Sequence, residues 1–193
     1  GDVSYYHYRM RDGIVRQQRE NGAEYFVNAG DIRQQGIEIT AMGHIIVPEN
    51  ARFVRSLILS TNITYQDYTF EKYQVDDKDY SGNQVTSIPE WIWANTLMAE
   101  FIQRIGLNIL YNYTAGIPLD DANTVFSAPY HLLQAKLSWT KRLSGKWHIQ
   151  FFAGVDNLLN KTYSLGNDIN AFGGRYFNPS PIRNYYGGIK LGF

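Results

Sequence analysis

Cysteine is absent from the 193 residues. That excludes disulfides, thiolate metal sites and thiol nucleophiles together. Charge is scarce and cancels: 18 basic against 18 acidic residues leave a net of zero. Charged residues make up 19% of the chain, below the ~25% of an ordinary soluble domain. No nucleic-acid partner is expected, because the basic footprint such a partner needs is missing. No apolar run reaches the ~18 residues of a membrane helix. The start, Gly1-Asp2-Val3-Ser4-Tyr5, lacks the basic head and apolar centre of a signal peptide. It opens directly in a strand-like pattern, as expected of a mature, trimmed or partial chain. Patterns of the GxSxG, HExxH and P-loop kinds are missing, so no catalytic residues are assigned and no enzyme is expected.

Aromatics and glycine are abundant, with 15 Tyr, 10 Phe, 4 Trp and 17 Gly. Apolar residues recur at every second position, which is the period of a strand. Ile37, Ile39, Ala41, Ile45 and Val47 alternate with Glu38, Thr40, Met42 and His44. The same pattern returns at 56–66, 105–113, 133–140, 147–156 and 188–193. Each run approaches the 9–11 residues of a tilted membrane strand. Adding residues 3–14 and 91–101 predicts about eight strands. The fit has exceptions: Asn95 falls on an apolar face, while Ile58, Leu110 and Phe152 fall on polar ones.

Links alternate in length. Short ones near Pro48-Glu49-Asn50, 100–104 and 143–146 alternate with long ones near 16–33, 71–90, 115–130 and 166–183. Short turns on one side and long loops on the other characterise an outer-membrane barrel. The 6 prolines fall in links or at strand starts, where no ladder donor is lost. Trp and Tyr concentrate near strand ends, as they do where an apolar ring meets a wet interface. The fold predicted is all-β, an antiparallel up-and-down transmembrane barrel segment. Two other classes stay open. One is an autonomous eight-stranded outer-membrane barrel, structural or adhesive, closed by pairing 3–14 with the last strand. The other is a soluble ligand-binding β-barrel or sandwich, with Leu57, Ile109, Leu137 and Phe151 pointing into a core.

The carboxyl-terminal segment is more specific. It reads Gly154-Val155-Asp156-Asn157-Leu158-Leu159-Asn160-Lys161-Thr162-Tyr163, then Gly174-Arg175-Tyr176-Phe177-Asn178-Pro179-Ser180-Pro181, then Arg183-Asn184-Tyr185-Tyr186-Gly187-Gly188-Ile189-Lys190-Leu191-Gly192-Phe193. This resembles the end of the TonB-dependent outer-membrane receptors. Residues 28–38 and 82–89 also look like family segments. The resemblance implies the C-terminal portion, over 1–193, of a barrel of about 22 strands, with the plug domain and energy-coupling box elsewhere. It implies import of a scarce nutrient, most often a ferric siderophore, across the outer membrane of a Gram-negative bacterium. Its partners would be membrane lipid, the barrel assembly machinery, and TonB acting through the plug. By the same resemblance Tyr185, Ile189, Leu191 and Phe193 form the assembly signal. Arg175, Tyr176, Asn178 and Arg183, in the last long loop, are candidates for contact with an anionic or aromatic ligand, although packing and hydrogen bonding from loop to loop is the role expected of them first.

No cofactor or metal is assigned. His7, His44, His131 and His148 lack ligand spacing. The loop carboxylates Asp76, Asp77, Asp79, Asp120 and Asp121 could hold a cation, but are expected simply to be solvated. Glu38, Lys136, Asp156 and Lys190 are expected to face the lumen and meet a plug.

Overall fold

The structure, a computed structural model, describes residues 1–19, 21–28, 30–47 and 53–193. The first half of the chain forms β1 (Asp2–Met10), β2 (Ile14–Gln18), β3 (Glu24–Asn28), β4 (Asp31–Ile46), β5 (Val54–Lys72), β6 (Gln74–Val75) and β7 (Lys78–Asp79). The second half forms β8 (Trp91–Phe101), β9 (Ile105–Thr114), β10 (Tyr130–Arg142), β11 (His148–Asp156) and β12 (Asn184–Gly192). Eight of these make one antiparallel sheet in the order β1-β4-β5-β8-β9-β10-β11-β12. Neighbours in the sheet follow one another along the chain, with two small hairpins in the links, as in an up-and-down barrel wall. Among the described residues β1 and β12 are the two edges and do not pair, so the sheet is open. The closure of 3–14 onto the last strand, required by an autonomous eight-stranded barrel, is not what the chain forms.

Register decides what each face carries, because directly opposed residues share a face. Along one row Ile37 opposes Tyr65, and Tyr65 opposes Trp91. Along another Leu97 opposes Ile109, which opposes Ala135, then Val155, then Tyr185. Nearer the short turns Trp139 opposes Phe151, which opposes Ile189. One face is therefore apolar across all eight strands. It is also uncovered: Leu137 is 53% and Ile189 64% exposed. A soluble sandwich would bury this face under a second layer. An exposed apolar surface this extensive calls for another apolar phase. Leu57, Ile109, Leu137 and Phe151 lie on it, as a membrane wall requires.

Two of the four exceptions, Asn95 and Phe152, have local solutions. Asn95 opposes Thr61 on the apolar face, and the Thr61 hydroxyl lies 2.7 Å from Asn95 Oδ1 as its donor. The hydroxyl and the amide oxygen satisfy one another across the strands. Phe152, on the polar face, lies over Gly188, where a Cβ would come within 2.6 Å of the ring. The Lys136 ammonium covers the same ring at 4.6 Å. Gly154 and Gly192 likewise face Tyr186 and His148 on the neighbouring strand. Gly188→Val forces the Phe152 ring off the wall. It is expected to cost about 1–3 kcal/mol, read as a lower denaturant midpoint in lipid.

The long links are more ordered than the sequence suggests. Residues 3–14 do not form one strand: β1 stops at Met10, and Asp12 takes a left-handed φ of 54°. Alternation then changes phase, with Ile14 exposed and Val15 buried. β2 and β3 form a hairpin inside the expected loop, and β6 and β7 form another. β4 and β5 extend well past the predicted runs, to Asp31 and Lys72. At the opposite end the chain reverses tightly at 102–104 and 143–147, Arg104 and Gly145 taking φ of 61° and 68°. The turn expected at Pro48-Glu49-Asn50 lies outside the described residues. The four long links, 11–30, 73–90, 115–129 and 157–183, are called the first to fourth outer loops.

Candidate functional site

Among the described residues the main buried cluster sits in these loops and the strand ends beneath them. Val15, Ile32, Phe70 and Tyr73 form it, with Val27, Val75, Tyr80 and Val85 packed around. Leu119, in the third loop, is fully buried as well. A cluster this small cannot hold four loops by apolar contact alone, and a polar knot completes it.

The knot is Asp121, only 2% exposed. Its Oδ2 accepts from Gln17 Nε2 at 2.6 Å, the Tyr73 hydroxyl at 2.8 Å and Asn170 Nδ2 at 3.1 Å. Its Oδ1 accepts from the Thr86 hydroxyl at 3.1 Å. The Asp121 backbone N–H donates to Asn170 Oδ1, and its carbonyl accepts from Asn83 Nδ2. One residue of the third loop thus ties in the first, second and fourth. The neighbouring Asn123 adds a reciprocal pair: its Oδ1 accepts from Gln84 N–H at 2.7 Å, and its Nδ2 donates to Gln84 O at 3.0 Å. Asp120 turns inward on its own loop, accepting from the backbone N–H groups of Thr124 and Val125. The expected solvation of Asp120–Asp121 is thereby corrected. A carboxylate with many neutral donors at hydrogen-bond distance can be buried where an unpartnered one could not.

Burial, and then the hydrogen bond donated to Asp121, raise the Tyr73 phenol above its ordinary value of 10.0. A folded-state pKa above the unfolded one stabilises the fold fully below the unfolded value and is lost as pH rises through the folded one. The loop cap is accordingly expected to loosen only above about pH 10, and Tyr73→Phe to shrink that alkaline phase, the raised phenols of Tyr80 and Tyr176 carrying what remains. Hydrogen exchange across 73–86, followed against pH, checks this.

The fourth loop holds the four candidate ligand contacts in different settings. Asn178 is engaged in the loop itself: its backbone N–H donates to Ser164 Oγ at 2.8 Å and its Nδ2 to Gly166 O at 2.6 Å. The Tyr176 carbonyl accepts from Asp168 N–H, and burial followed by the Asp120 charge raises its phenol. Arg175 is exposed. Arg183 anchors its backbone to Asn160 Oδ1 at 3.2 Å, while its Nε is buried with no hydrogen-bond acceptor among the described residues. None of these four lines the cleft that their neighbours reach. Those neighbours, Phe177 and Pro179, line a 370 Å³ cleft with Tyr130 and Tyr163, between the third and fourth loops. Sequence alone points to the motif but not to which of its alternate residues turn inward.

Elsewhere Tyr185, Ile189 and Leu191 lie on the apolar face of the edge strand β12, with Phe193 just beyond it. The Phe193 ring packs against Trp147 at 5.3 Å. Glu38, Lys136, Asp156 and Lys190 lie on the opposite, polar face, as their register places them.

An open wall of tilt-length strands, apolar on one face, with tight turns at one end and knotted loops at the other, defines a segment of a large transmembrane β-barrel. The family model described as TonB dependent receptor-like, beta-barrel, matches residues 1–158. The chain belongs to that family. Solved structures share the fold. The ferric preacinetobactin receptor BauA of Acinetobacter baumannii is 17% identical, with a TM-score of 0.70 over 97% of this chain and 26% of its own. The ferric-catecholate import receptor Fiu of E. coli K12 is 16% identical, with a TM-score of 0.66 over 98% of this chain and 24% of its own. The copper transporter OprC is 19% identical, with a TM-score of 0.66 over 98% of this chain and 28% of its own. The chain thus spans about a quarter of the length of these proteins.

Proposed function

We propose that this chain is the C-terminal portion of the barrel of a TonB-dependent receptor in the outer membrane of a Gram-negative bacterium. The receptor imports a scarce nutrient, first of all a ferric siderophore. The observation that carries this is the family match over most of the chain, supported by the ferric cargo named for BauA and Fiu. Transport needs three things of the wall. Lipid meets the apolar face, while the polar face, with Glu38, Lys136, Asp156 and Lys190, meets a plug domain that TonB pulls. The outer loops meet the cargo, and in the fourth loop Arg175, Tyr176, Asn178 and Arg183 are the side chains offered to it. Tyr185, Ile189, Leu191 and Phe193 present the alternating edge that the barrel assembly machinery engages.

The test is uptake. Cells lacking the receptor, grown without free iron, are expected to lose TonB-dependent accumulation of one radiolabelled ferric siderophore and to regain it from a plasmid copy. Accumulation of copper instead, as the name of OprC suggests for that protein, would move the cargo to another metal. Retention of uptake for every iron and copper ligand tried would contradict the transport reading.

A further inference from the structure

The apolar face is not smooth near the short turns. On β10 Leu137 opposes Ala153, while the next row toward the turns carries the Trp139 and Phe151 rings, stacked 5.9 Å apart. The small Ala153 side chain beside these rings leaves a 320 Å³ groove, which Ile105, Leu137, Trp139, Phe151 and Ala153 line. All five belong to the apolar face by register. Trp139, at its rim, is left 45% exposed.

Cations gather immediately beyond the groove. Lys141, the next residue of the apolar face on β10, opposes Ile149, which opposes Leu191. A lysine there lays its methylenes on apolar surface and carries its ammonium to the water boundary. Arg104 and Lys146 stand in the turns on either side of the β10 end, and the Arg104 carbonyl accepts from Thr140 N–H at 3.0 Å. Both line one hollow with Trp147 and Phe193, the ring pair at the margin of the apolar face. Residues 100–105 and 140–148 hold four Lys and Arg against one acid, Glu100. Glu100 also borders the hollow, but Arg55 already engages it at 3.3 Å. Among the described residues no carboxylate pairs with Arg104, Lys141 or Lys146.

An apolar groove that runs up to unpaired cations fits an amphiphile with a hydrocarbon tail and an anionic head. An acidic peptide or a free phosphate would meet the cations and leave the groove empty. We propose that this corner of the wall binds an anionic glycerophospholipid from the leaflet on the short-turn side, the periplasmic one in such barrels. An acyl chain lies in the groove along Ala153, and the phosphate rests among Arg104, Lys141 and Lys146. The site rests on the wall facing lipid and is independent of the cargo.

The test measures lipid retention by the full-length receptor in native mass spectrometry from detergent. Phosphatidylglycerol is the probe, with phosphatidylcholine and glycerol 3-phosphate as comparators. Phosphatidylglycerol is expected to be held most tightly, and glycerol 3-phosphate, a head without tails, not to be held. Lys141→Gln, at an exposed position, is expected to weaken phosphatidylglycerol about fivefold while leaving phosphatidylcholine unchanged. Adding Arg104→Gln and Lys146→Gln removes the preference for the anionic lipid. Ala153→Leu keeps every cation but fills the groove, and is expected to weaken phosphatidylglycerol too. Phosphatidylcholine held as tightly as phosphatidylglycerol, glycerol 3-phosphate held as tightly as the lipid, or unchanged affinity in Ala153→Leu would each overturn the site. So would phosphatidylglycerol retention indifferent to the triple substitution, which would assign the cations to an acidic protein segment instead. Failure of the lipid-facing wall looks different, since neither phospholipid is then retained. Failure of the transport reading leaves the lipid result unchanged while no ligand is taken up by cells.

Discussion

Asp121→Ala is expected to free the outer loops from one another while leaving the wall intact. Gln17, Tyr73, Thr86 and Asn170 each lose a buried acceptor. A buried donor left unpaired costs about 1–3 kcal/mol. Gln17 Nε2 keeps the Tyr73 hydroxyl and Asn170 Nδ2 keeps the Arg16 carbonyl as acceptors, so the summed loss falls short of four separate penalties. The effect is nevertheless at the upper end for a single substitution. Hydrogen exchange should show loss of protection in 73–86 and 117–123 with no change in β10 and β11. Asp121→Asn should be far milder. Its carbonyl oxygen can take the Oδ2 position, which receives three donors, while its amide donates to the Thr86 hydroxyl. Equal damage from the two substitutions would mean that the carboxylate charge, not its acceptor geometry, holds the knot.

Leu137→Arg tests the wall instead. Leu137 opposes Leu107 on one side and Ala153 on the other, in the middle of the apolar face. An arginine at the lipid-facing midplane of a barrel costs about 2–4 kcal/mol, and near the interfaces only about 0–1. The full penalty should appear in the denaturant midpoint of the receptor refolded into vesicles. Ser138→Arg, one residue along, points to the polar face and should cost far less. Equal tolerance of both would place neither face in lipid.

The eight wall strands were legible because a barrel wall meets lipid on one side and a polar interior on the other, and so writes period two into every strand. That signal carries face and register, but it cannot say where a strand stops once both environments become polar. β4 and β5 therefore outrun their predicted ends, since Gln34, Gln35, Gln66 and Asp67 alternate nothing. Residues 3–14 misled in the opposite way: apolar residues continue past Met10, and only the left-handed turn at Asp12 separates β1 from the β2–β3 hairpin. The knot was invisible for a different reason. Asp121 and Gln17 stand 104 positions apart, and no local pattern links a loop carboxylate to a distant amide. Two adjacent aspartates looked like a solvated or cation-binding pair because their donors come from other loops. The cleft was half legible. The motif around residue 177 drew attention through family resemblance, but the inward side chains are Phe177 and Pro179 rather than their polar neighbours.

The most direct test of the central claim, that this sheet is a lipid-facing barrel wall, exploits the absence of cysteine. Single cysteines placed in turn from 133 to 140 in the full-length receptor can be spin-labelled, in bilayers, after removal of any cysteine elsewhere in it. Accessibility to oxygen, which partitions into lipid, is then compared with accessibility to a water-soluble nickel complex. The account predicts oxygen accessibility high at 133, 135, 137 and 139 and low at 134, 136, 138 and 140, with period two throughout. High oxygen accessibility at the even positions, or no alternation at all, would contradict it.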